Sequence, residues 1–182
     1  MAYGIDNLTN GQGTVAVTTI DGATVKSPYR AVRQFLNGVE ATNELYVKAG
    51  AKLEGGNKSI FFHDPSAKAN TGKLVVEEGA ELYGGVYLFV TEGSTEWPVK
   101  VSVAASAIKS GEVTYKNAPE GYKVVEENGV WTVVNDVAKI GEVGYTSLAE
   151  AVAAVNDGGT ITLVADEVFT ENNYYDNGGW KD

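Results

Sequence analysis

The chain has few side chains that could carry out acid–base chemistry. Its single histidine, His63, is followed directly by Asp64, and a histidine beside a carboxylate is a common basis for a general base. However, Asp-Pro after an apolar run is a turn signal, and no serine stands in a nucleophile context. We therefore interpret this pair as structural.

A group of acidic residues is the next candidate. Three glutamates fall close together: Glu77, Glu78 and Glu81. A similar upstream segment has the counterparts Lys48, Ala49 and Lys52. Opposite charges at equivalent places favour a solvated face whose charge alternates between stacked segments. This cluster is therefore predicted to stabilise stacking rather than to bind a cation.

Other reactive motifs are absent from the sequence. There is no cysteine, which excludes disulfides, thiolate zinc sites and cysteine nucleophiles. No phosphate-binding glycine loop, EF-hand loop or metalloprotease motif occurs, and the Asn- and Asp-rich segment 172–176 lacks the spacing of a calcium loop. The sequence predicts no catalytic residue, no metal site and no cofactor.

Aromatic residues are the remaining candidates for contact with a ligand. Four could line an exposed lateral surface: Tyr83, Tyr87, Trp97 and Tyr115. Aromatic side chains stack on sugars and anchor protein partners. Packing in the core or at an end explains the same residues equally well, so both interpretations stay open.

Charge and hydropathy restrict the partners. The net charge is −10, with only two arginines, Arg30 and Arg33, so binding to nucleic acid or to anionic lipid is disfavoured. No apolar run approaches the roughly 20 residues of a membrane span, and no membrane insertion is expected. Glycine accounts for 22 of 182 residues, which is typical of a mostly-β protein with many turns.

An internal repeat is the strongest indication of the fold. Two segments, 45–56 and 74–85, share the pattern L-x-V-x-x-G-A-x-L-x-G-G. Weaker copies lie at 17–25 and 101–107, which gives four units at intervals of 28, 29 and 27 residues. Repeats of this length imply stacked units that bury one continuous core.

Stacking the repeats predicts three buried columns. They are Val17/Leu45/Leu74/Val101, Thr19/Val47/Val76/Val103 and Ala23/Ala51/Ala80/Ala107. Equivalent strands would pair in parallel about 4.8 Å apart, as in a right-handed parallel β-helix. The alternative is an antiparallel β-sandwich, but a sandwich does not require equal repeat lengths.

One segment between the repeats is predicted to be helical. Residues 27–38 begin with Ser27 and Pro28, a helix N-cap and first position, and end at Gly38. Tyr29, Val32 and Leu36 would face inward. Arg30 and Arg33 would face water, outside the strand repeats.

The C-terminal part predicts a second module. Asn128–Gly129 between two apolar runs indicates a hairpin, which is expected to close a first module, residues 1–135, with Tyr122 and Trp131 over its end. In residues 136–182 we predict a hairpin at 138–145, a helix capped by Ser147 and Glu150, and a strand at 160–164.

Residues 119–169 resemble a known kind of joint. The hairpin GYKVVEENGVWTVV and the segment AKIGEVGYTSLAEAVAAVNDGGTITLVADEVF are similar to modular joints in very large surface proteins of gut bacteria. There, the Y-x-S-L-x-E-A helix and the G-x-T-I-x-L strand open a pectate-lyase-like β-helix. The resemblance therefore implies that residues 136–182 begin a second β-helix module, whose coils would start after Asp166 and remain incomplete. The resemblance concerns architecture, and fold alone does not determine activity.

The resemblance implies a function. It suggests an extracellular, non-catalytic module of a cell-surface, adhesin-like protein that displays or contacts a host protein or glycan. The chain would be a monomeric piece of a longer, secreted protein. No signal peptide follows Met1, so for a secreted parent protein either Met1 is not native or the signal was removed. The alternative is a fragment of a polysaccharide lyase or hydrolase. Those lyases use acidic calcium ligands beside an Arg or Lys base, and the sequence does not bring such groups together.

Overall fold

Short strands recur in a fixed order along the chain. The computed structural model describes residues 2–64, 69–95 and 97–165. Three strands form one coil, and each strand pairs in parallel with its equivalent in the next coil. About four coils stack in this way. The predicted parallel β-helix is confirmed, and parallel pairing excludes the antiparallel sandwich.

Three parallel sheets form the walls of the solenoid. The first sheet contains β1 (Tyr3–Thr9), β4 (Arg30–Leu36), β7 (Lys58–Asp64), β10 (Val86–Val90) and β13 (Val113–Lys116). The second contains β2 (Val15–Ile20), β5 (Thr42–Val47), β8 (Thr71–Val76) and β11 (Val99–Ala104). The third contains β3 (Thr24–Ser27), β6 (Lys52–Gly55), β9 (Glu81–Tyr83) and β12 (Ile108–Ser110). A single 3-10 turn, Ala105–Ala107, joins β11 to β12.

The core follows the repeat. Leu45, Leu74 and Val101 stand in register on neighbouring strands of the second sheet, and they belong to one buried apolar cluster. The next inward position carries valine in the same three coils: Val47, Val76 and Val103. Burying each such side chain contributes roughly 1.5–3 kcal/mol. Alternation along each strand therefore supplies a continuous core.

The predicted register of β2, in the first coil, is wrong by one residue. Thr18 pairs with Leu45 and Ile20 pairs with Val47, so Thr18 and Ile20 take the inward positions predicted for Val17 and Thr19. Val17 is 58% exposed. The turn after β2 is one residue shorter than the turn after β5, and a shift of one residue moves every side chain of a strand to the other face.

The glycines of the repeat lie at two kinds of corner. Gly50 and Gly79 have φ angles of 81° and 82°, a conformation that other residues rarely adopt. Gly85 lies at the corner between the third and first sheets, where a β-carbon would be 2.3 Å from the carbonyl oxygen of Glu112. The first glycine of the motif is thus required by its backbone conformation, and the last glycine by the close approach of the next coil.

The helix predicted at residues 27–38 does not form. The segment contains β4, which pairs in parallel with β1 and β7. Val32 and Leu36 are fully buried, as predicted, because a spacing of four residues fits a strand as well as a helix. Gln34 is fully buried between them, which only the alternation of a strand explains.

A hairpin follows the last coil. It consists of β14 (Tyr122–Glu127) and β15 (Val130–Asn135), and β15 pairs antiparallel with β11. Tyr122 and Trp131 pack against the solenoid core, as expected. The turn residues Asn128 and Gly129 both have positive φ angles, as the Asn-Gly signal predicts.

The chain divides into two compact units, Met1–Val134 and Asn135–Asp182. The second unit contains β16 (Ala138–Ile140), β17 (Val143–Tyr145), α1 (Leu148–Ala154) and β18 (Thr162–Leu163). The Ser147 hydroxyl accepts a hydrogen bond from the backbone N–H of Glu150 at 3.2 Å, so the predicted cap is confirmed. The coils predicted after Asp166 lie outside the described residues.

Candidate functional site

The outer surface of the first sheet carries two columns of side chains that alternate with the core residues. In strand order, the first column is Asp6, Arg33, Phe61, Tyr87 and Thr114. The second column is Leu8, Phe35, His63, Phe89 and Lys116. We call the five rings in the middle of these columns the aromatic strip: Phe35, Phe61, His63, Tyr87 and Phe89. The parallel register places rings from three coils side by side.

The two rings of the middle coil, Phe61 and His63, contact side chains of the coils on both sides. The Phe61 and Tyr87 rings stack with centroids 5.4 Å apart and planes 16° apart. The His63 ring lies 4.8 Å from that of Phe35 and 4.4 Å from that of Phe89. Such pairs contribute about 0.5–1.5 kcal/mol each beyond area burial. The strip therefore stabilises the outside of the solenoid.

Four cationic side chains border the aromatic strip. The guanidinium carbon of Arg30 lies 3.6 Å from the Phe61 centroid, and that of Arg33 lies 4.8 Å from the Phe35 centroid. The ammonium groups of Lys58 and Lys116 lie 5.8 Å and 6.0 Å from the centroids of Tyr87 and Phe89. These are cation–π distances. Both arginines of an acidic protein thus lie on this one surface.

Within the described part of the chain, one of these cations has a carboxylate partner. Arg33 binds both carboxylate oxygens of Asp6, at 2.6 Å and 2.7 Å, and this hydrogen bonding raises the pKa of Arg33. Among the described residues, no carboxylate lies within salt-bridge distance of Arg30, Lys58 or Lys116. The surface therefore carries uncompensated positive charge.

His63 is neutral at physiological pH. Burial, with a smaller effect of the positive charges of Arg33 and Arg30, lowers its pKa from 6.5 to about 4. Its Nε2 atom is buried and has no hydrogen-bond partner among the described residues. The imidazole therefore acts as one more ring of the strip.

Of the four predicted contact residues, Tyr87 lies in the aromatic strip and Tyr83 lies on the third sheet. The Tyr83 hydroxyl donates to Glu81 at 3.2 Å, and the ring faces an open depression. That depression is lined by Lys26, Ser27, Pro28, Glu54, Gly55, Gly56 and Tyr83. Hydrogen bonds from Lys26 and Lys52 lower the pKa of Glu54 to about 2, so the charges of the depression are already paired.

The other two predicted residues, Trp97 and Tyr115, pack against each other. Their ring centroids are 4.8 Å apart. Trp97 is a core residue at 8% exposure, and Tyr115 stands in register with buried Leu88. Burial raises the pKa of the Tyr115 hydroxyl. Trp97 and Tyr115 are thus packing residues, which is one of the two interpretations that the sequence left open.

The structure separates the acid–base candidates. His63 and Asp64 are neighbours on β7, so their side chains point to opposite sides of the sheet. Asp64 is fully buried and accepts a hydrogen bond from Asn70. Glu77 pairs with Lys48, which confirms the predicted alternation of charge and lowers the pKa of Glu77. A general acid at neutral pH requires a shift in the opposite direction.

Two further structural findings concern ions and membranes. Within residues 2–64, 69–95 and 97–165, no three His, Cys, Asp or Glu side chains are placed to hold a metal ion. The same residues include no helix with the length and apolar character of a membrane span.

Sequence reasoning missed most of the aromatic strip because it placed Arg30 and Arg33 in a helix. Val32 precedes Ile60 by 28 residues, and Ile60 precedes Val86 by 26. Extending the repeat backwards by this interval would have made 30–36 a strand and aligned its outward residues with Phe61 and Tyr87. The signal was present, but the capping pattern at Ser27 and Pro28 competed with it.

Comparison of the chain with protein-family models, with curated proteins and with solved structures finds no match in any of the three.

Proposed function

We propose that this chain is a non-catalytic contact module of an extracellular bacterial surface protein. The coils act as a rigid support, and the aromatic strip with its cationic border is the surface that contacts a host protein or glycan. The observation that carries the proposal is the collection of both arginines and five partly or largely buried rings on one outer face of an acidic solenoid.

The composition of this surface is the main support. Aromatic residues and arginine are enriched at protein interfaces, and a few such residues dominate binding energy. The resemblance of residues 119–169 to joints in surface proteins of gut bacteria supports the extracellular location.

Binding to arrays of host extracellular proteins and glycans would test this proposal. The double variant Tyr87→Ala/Phe89→Ala should lose at least about tenfold in affinity for any ligand that the wild type binds, since hot-spot rings contribute about 2 kcal/mol or more. Surface plasmon resonance would measure the change, and circular dichroism would verify that the variant is folded.

Tyr46→Ala provides a matched control. Tyr46 lies on the second sheet, outside the strip, and its hydroxyl donates to Glu44 at 2.6 Å, so the variant loses a partly buried ring from a different face. Its affinity should stay within twofold of the wild type. Equal losses in both variants, or no binding to either array, would contradict the proposal.

A polysaccharide lyase is the second candidate, and one observation favours it. The single histidine, His63, lies close enough to Arg33 and Arg30 for their charges to lower its pKa, and a histidine base beside arginines can remove a proton and stabilise the resulting charge. Incubation with acidic polysaccharides would reveal unsaturated products by ultraviolet absorbance. Turnover that His63→Gln abolishes would establish the lyase and overturn the non-catalytic proposal.

A further inference from the structure

The inner ring faces of the aromatic strip are already occupied. Phe61 lies between Arg30 of the preceding coil, 3.6 Å from its centroid, and Tyr87 of the following coil. His63 lies between Phe35, whose ring is tilted by 44° to it, and Phe89, which it meets edge to face at 82°. A sugar ring stacks on a free aromatic face, and these contacts leave such faces scarce. The strip is therefore poorly suited to a glycan.

The ring edges remain available, and they favour negative charge. Aromatic rings carry a negative face and a positive edge, and the stacked rings of Phe61 and Tyr87, which face each other along the solenoid, direct edges outward. Phe35, Tyr87 and Phe89 are each partly exposed. A carboxylate that approaches the sheet thus meets ring edges together with the cations of the border.

Three of those cations are open to a partner. Arg30 is partly exposed, and among the described residues its Nη2 atom donates only to the Tyr29 hydroxyl, at 3.0 Å. Arg30 and Lys58 stand in register on adjacent strands, and the backbones of such strands lie about 4.8 Å apart. Lys116 lies two strands further on, beyond Phe89. Carboxylates spaced along an extended ligand can reach all three.

We infer that the aromatic strip binds an acidic polypeptide segment whose Asp and Glu carboxylates pair with Arg30, Lys58 and Lys116 while its apolar side chains cover the rings. The inference rests on the proposed function and names the chemistry of the partner. A polypeptide fits better than a glycan because it supplies both carboxylates and apolar side chains to a flat sheet surface, and charge-assisted hydrogen bonds to arginine give it specificity.

Selection from a random peptide library tests this inference. Phage-displayed peptides would be selected on the full chain and depleted on the triple variant Arg30→Gln/Lys58→Gln/Lys116→Gln. The recovered peptides should be enriched in Asp and Glu relative to the starting library. In a synthetic copy of a recovered peptide, replacing Glu by Gln should weaken binding roughly tenfold or more.

The matched control is Lys26→Gln/Lys100→Gln/Lys109→Gln, which removes three positive charges from other surfaces and has the same net charge as the first variant. It should bind the recovered peptides within about twofold of the wild type. Thermal unfolding of both variants would verify that they are folded.

Two results would overturn the inference: recovered peptides without acidic enrichment, or acidic peptides that bind both triple variants equally. A glycan array measured in parallel distinguishes failure of this inference from failure of the proposed function. Glycan binding lost in Tyr87→Ala/Phe89→Ala, together with no acidic peptides, would refute the polypeptide partner and leave the contact surface standing. Binding of neither class would refute both.

Discussion

Protonation of His63 is unfavourable in the folded chain. The ring is packed among Phe35, Phe61 and Phe89, and two guanidinium groups lie nearby. Burial is the larger cause of the lowered pKa, and the charges of Arg33 and Arg30 add to it. The same contacts that complete the aromatic strip therefore make its stability sensitive to acid.

This environment predicts a pH dependence. Because the folded pKa is about 4 and the ordinary value is 6.5, the unfolded chain binds more protons between these values. The free energy of unfolding should therefore fall as pH decreases from about 6.5 to about 4. Allowing for partial exposure of the ring, we expect a contribution of about 1 kcal/mol.

Urea denaturation of the wild type and of His63→Gln at both ends of this pH range would measure it. Carboxylates titrate in both proteins, so the difference between the two proteins isolates His63. The gap between their free energies of unfolding should narrow or reverse as the pH falls. An unchanged gap would show that the ring is solvated in the folded chain.

A buried alanine provides a second test at the residue scale. Ala51 has no exposed surface, whereas Ala23, at the same motif position in the first coil, is exposed. Ala51→Asp buries a carboxylate beside Leu53 and should cost about 3 kcal/mol or more. Ala23→Asp should change stability by less than about 0.5 kcal/mol. Thermal or urea unfolding gives both values, and similar costs would contradict the assigned burial.

At the scale of elements, β4 shows why part of the candidate site could not be predicted. Val32 and Leu36 satisfy helix and strand periods alike, and Ser27, Pro28 and Gly38 supply ordinary helix boundaries. The strand forms because β1 and β7 offer hydrogen bonds on both sides, and tertiary pairing overrides local propensity. Strong motifs such as the Asn-Gly turn and the Ser147 cap were predictable because their determinants are local.

The hairpin after the last coil is predicted to depend on one glycine. Gly129 has a φ angle of 79°, and a β-carbon added there would have no contact within 4 Å. A side chain at this position therefore destabilises the turn only through backbone strain. Gly129→Val should lower the free energy of unfolding of the solenoid unit by about 1–2 kcal/mol.

Asn128→Gly is the control for this prediction. Asn128 also has a positive φ angle, 51°, which glycine adopts freely, so this variant should be close to neutral. Urea unfolding followed by tryptophan fluorescence would measure the free energy of unfolding of both variants. Equal effects of the two substitutions would show that the turn conformation does not contribute to stability.

At the scale of the whole solenoid unit, prediction succeeded where the chain repeats and failed where it does not. Leu45, Leu74 and Val101 were assigned correctly because three coils give mutual evidence for one register. The first coil was assigned wrongly because its turn has a different length, which no single copy reveals. The aromatic strip was missed as a unit since its rings come from three coils, and their proximity follows only from the register.

Contacts between neighbouring coils predict a gradient of stability along the solenoid. In a solenoid each coil contacts only the coils beside it, and within the described residues β1, β2 and β3 have a neighbour on one side. Val25 of the first coil is only partly buried, whereas Leu53 and Leu82, in register with it, are fully buried. At the other end, the antiparallel strand β15 pairs with β11.

Amide hydrogen exchange should therefore be at least about tenfold faster in β3 than in β6 and β9, because the first coil opens locally. Leu53→Ala should cost about 2–5 kcal/mol and accelerate exchange in all three sheets, whereas Val25→Ala should accelerate it in the first coil alone. Uniform exchange across the coils, or a global effect of Val25→Ala, would mean that the solenoid unfolds as one cooperative block.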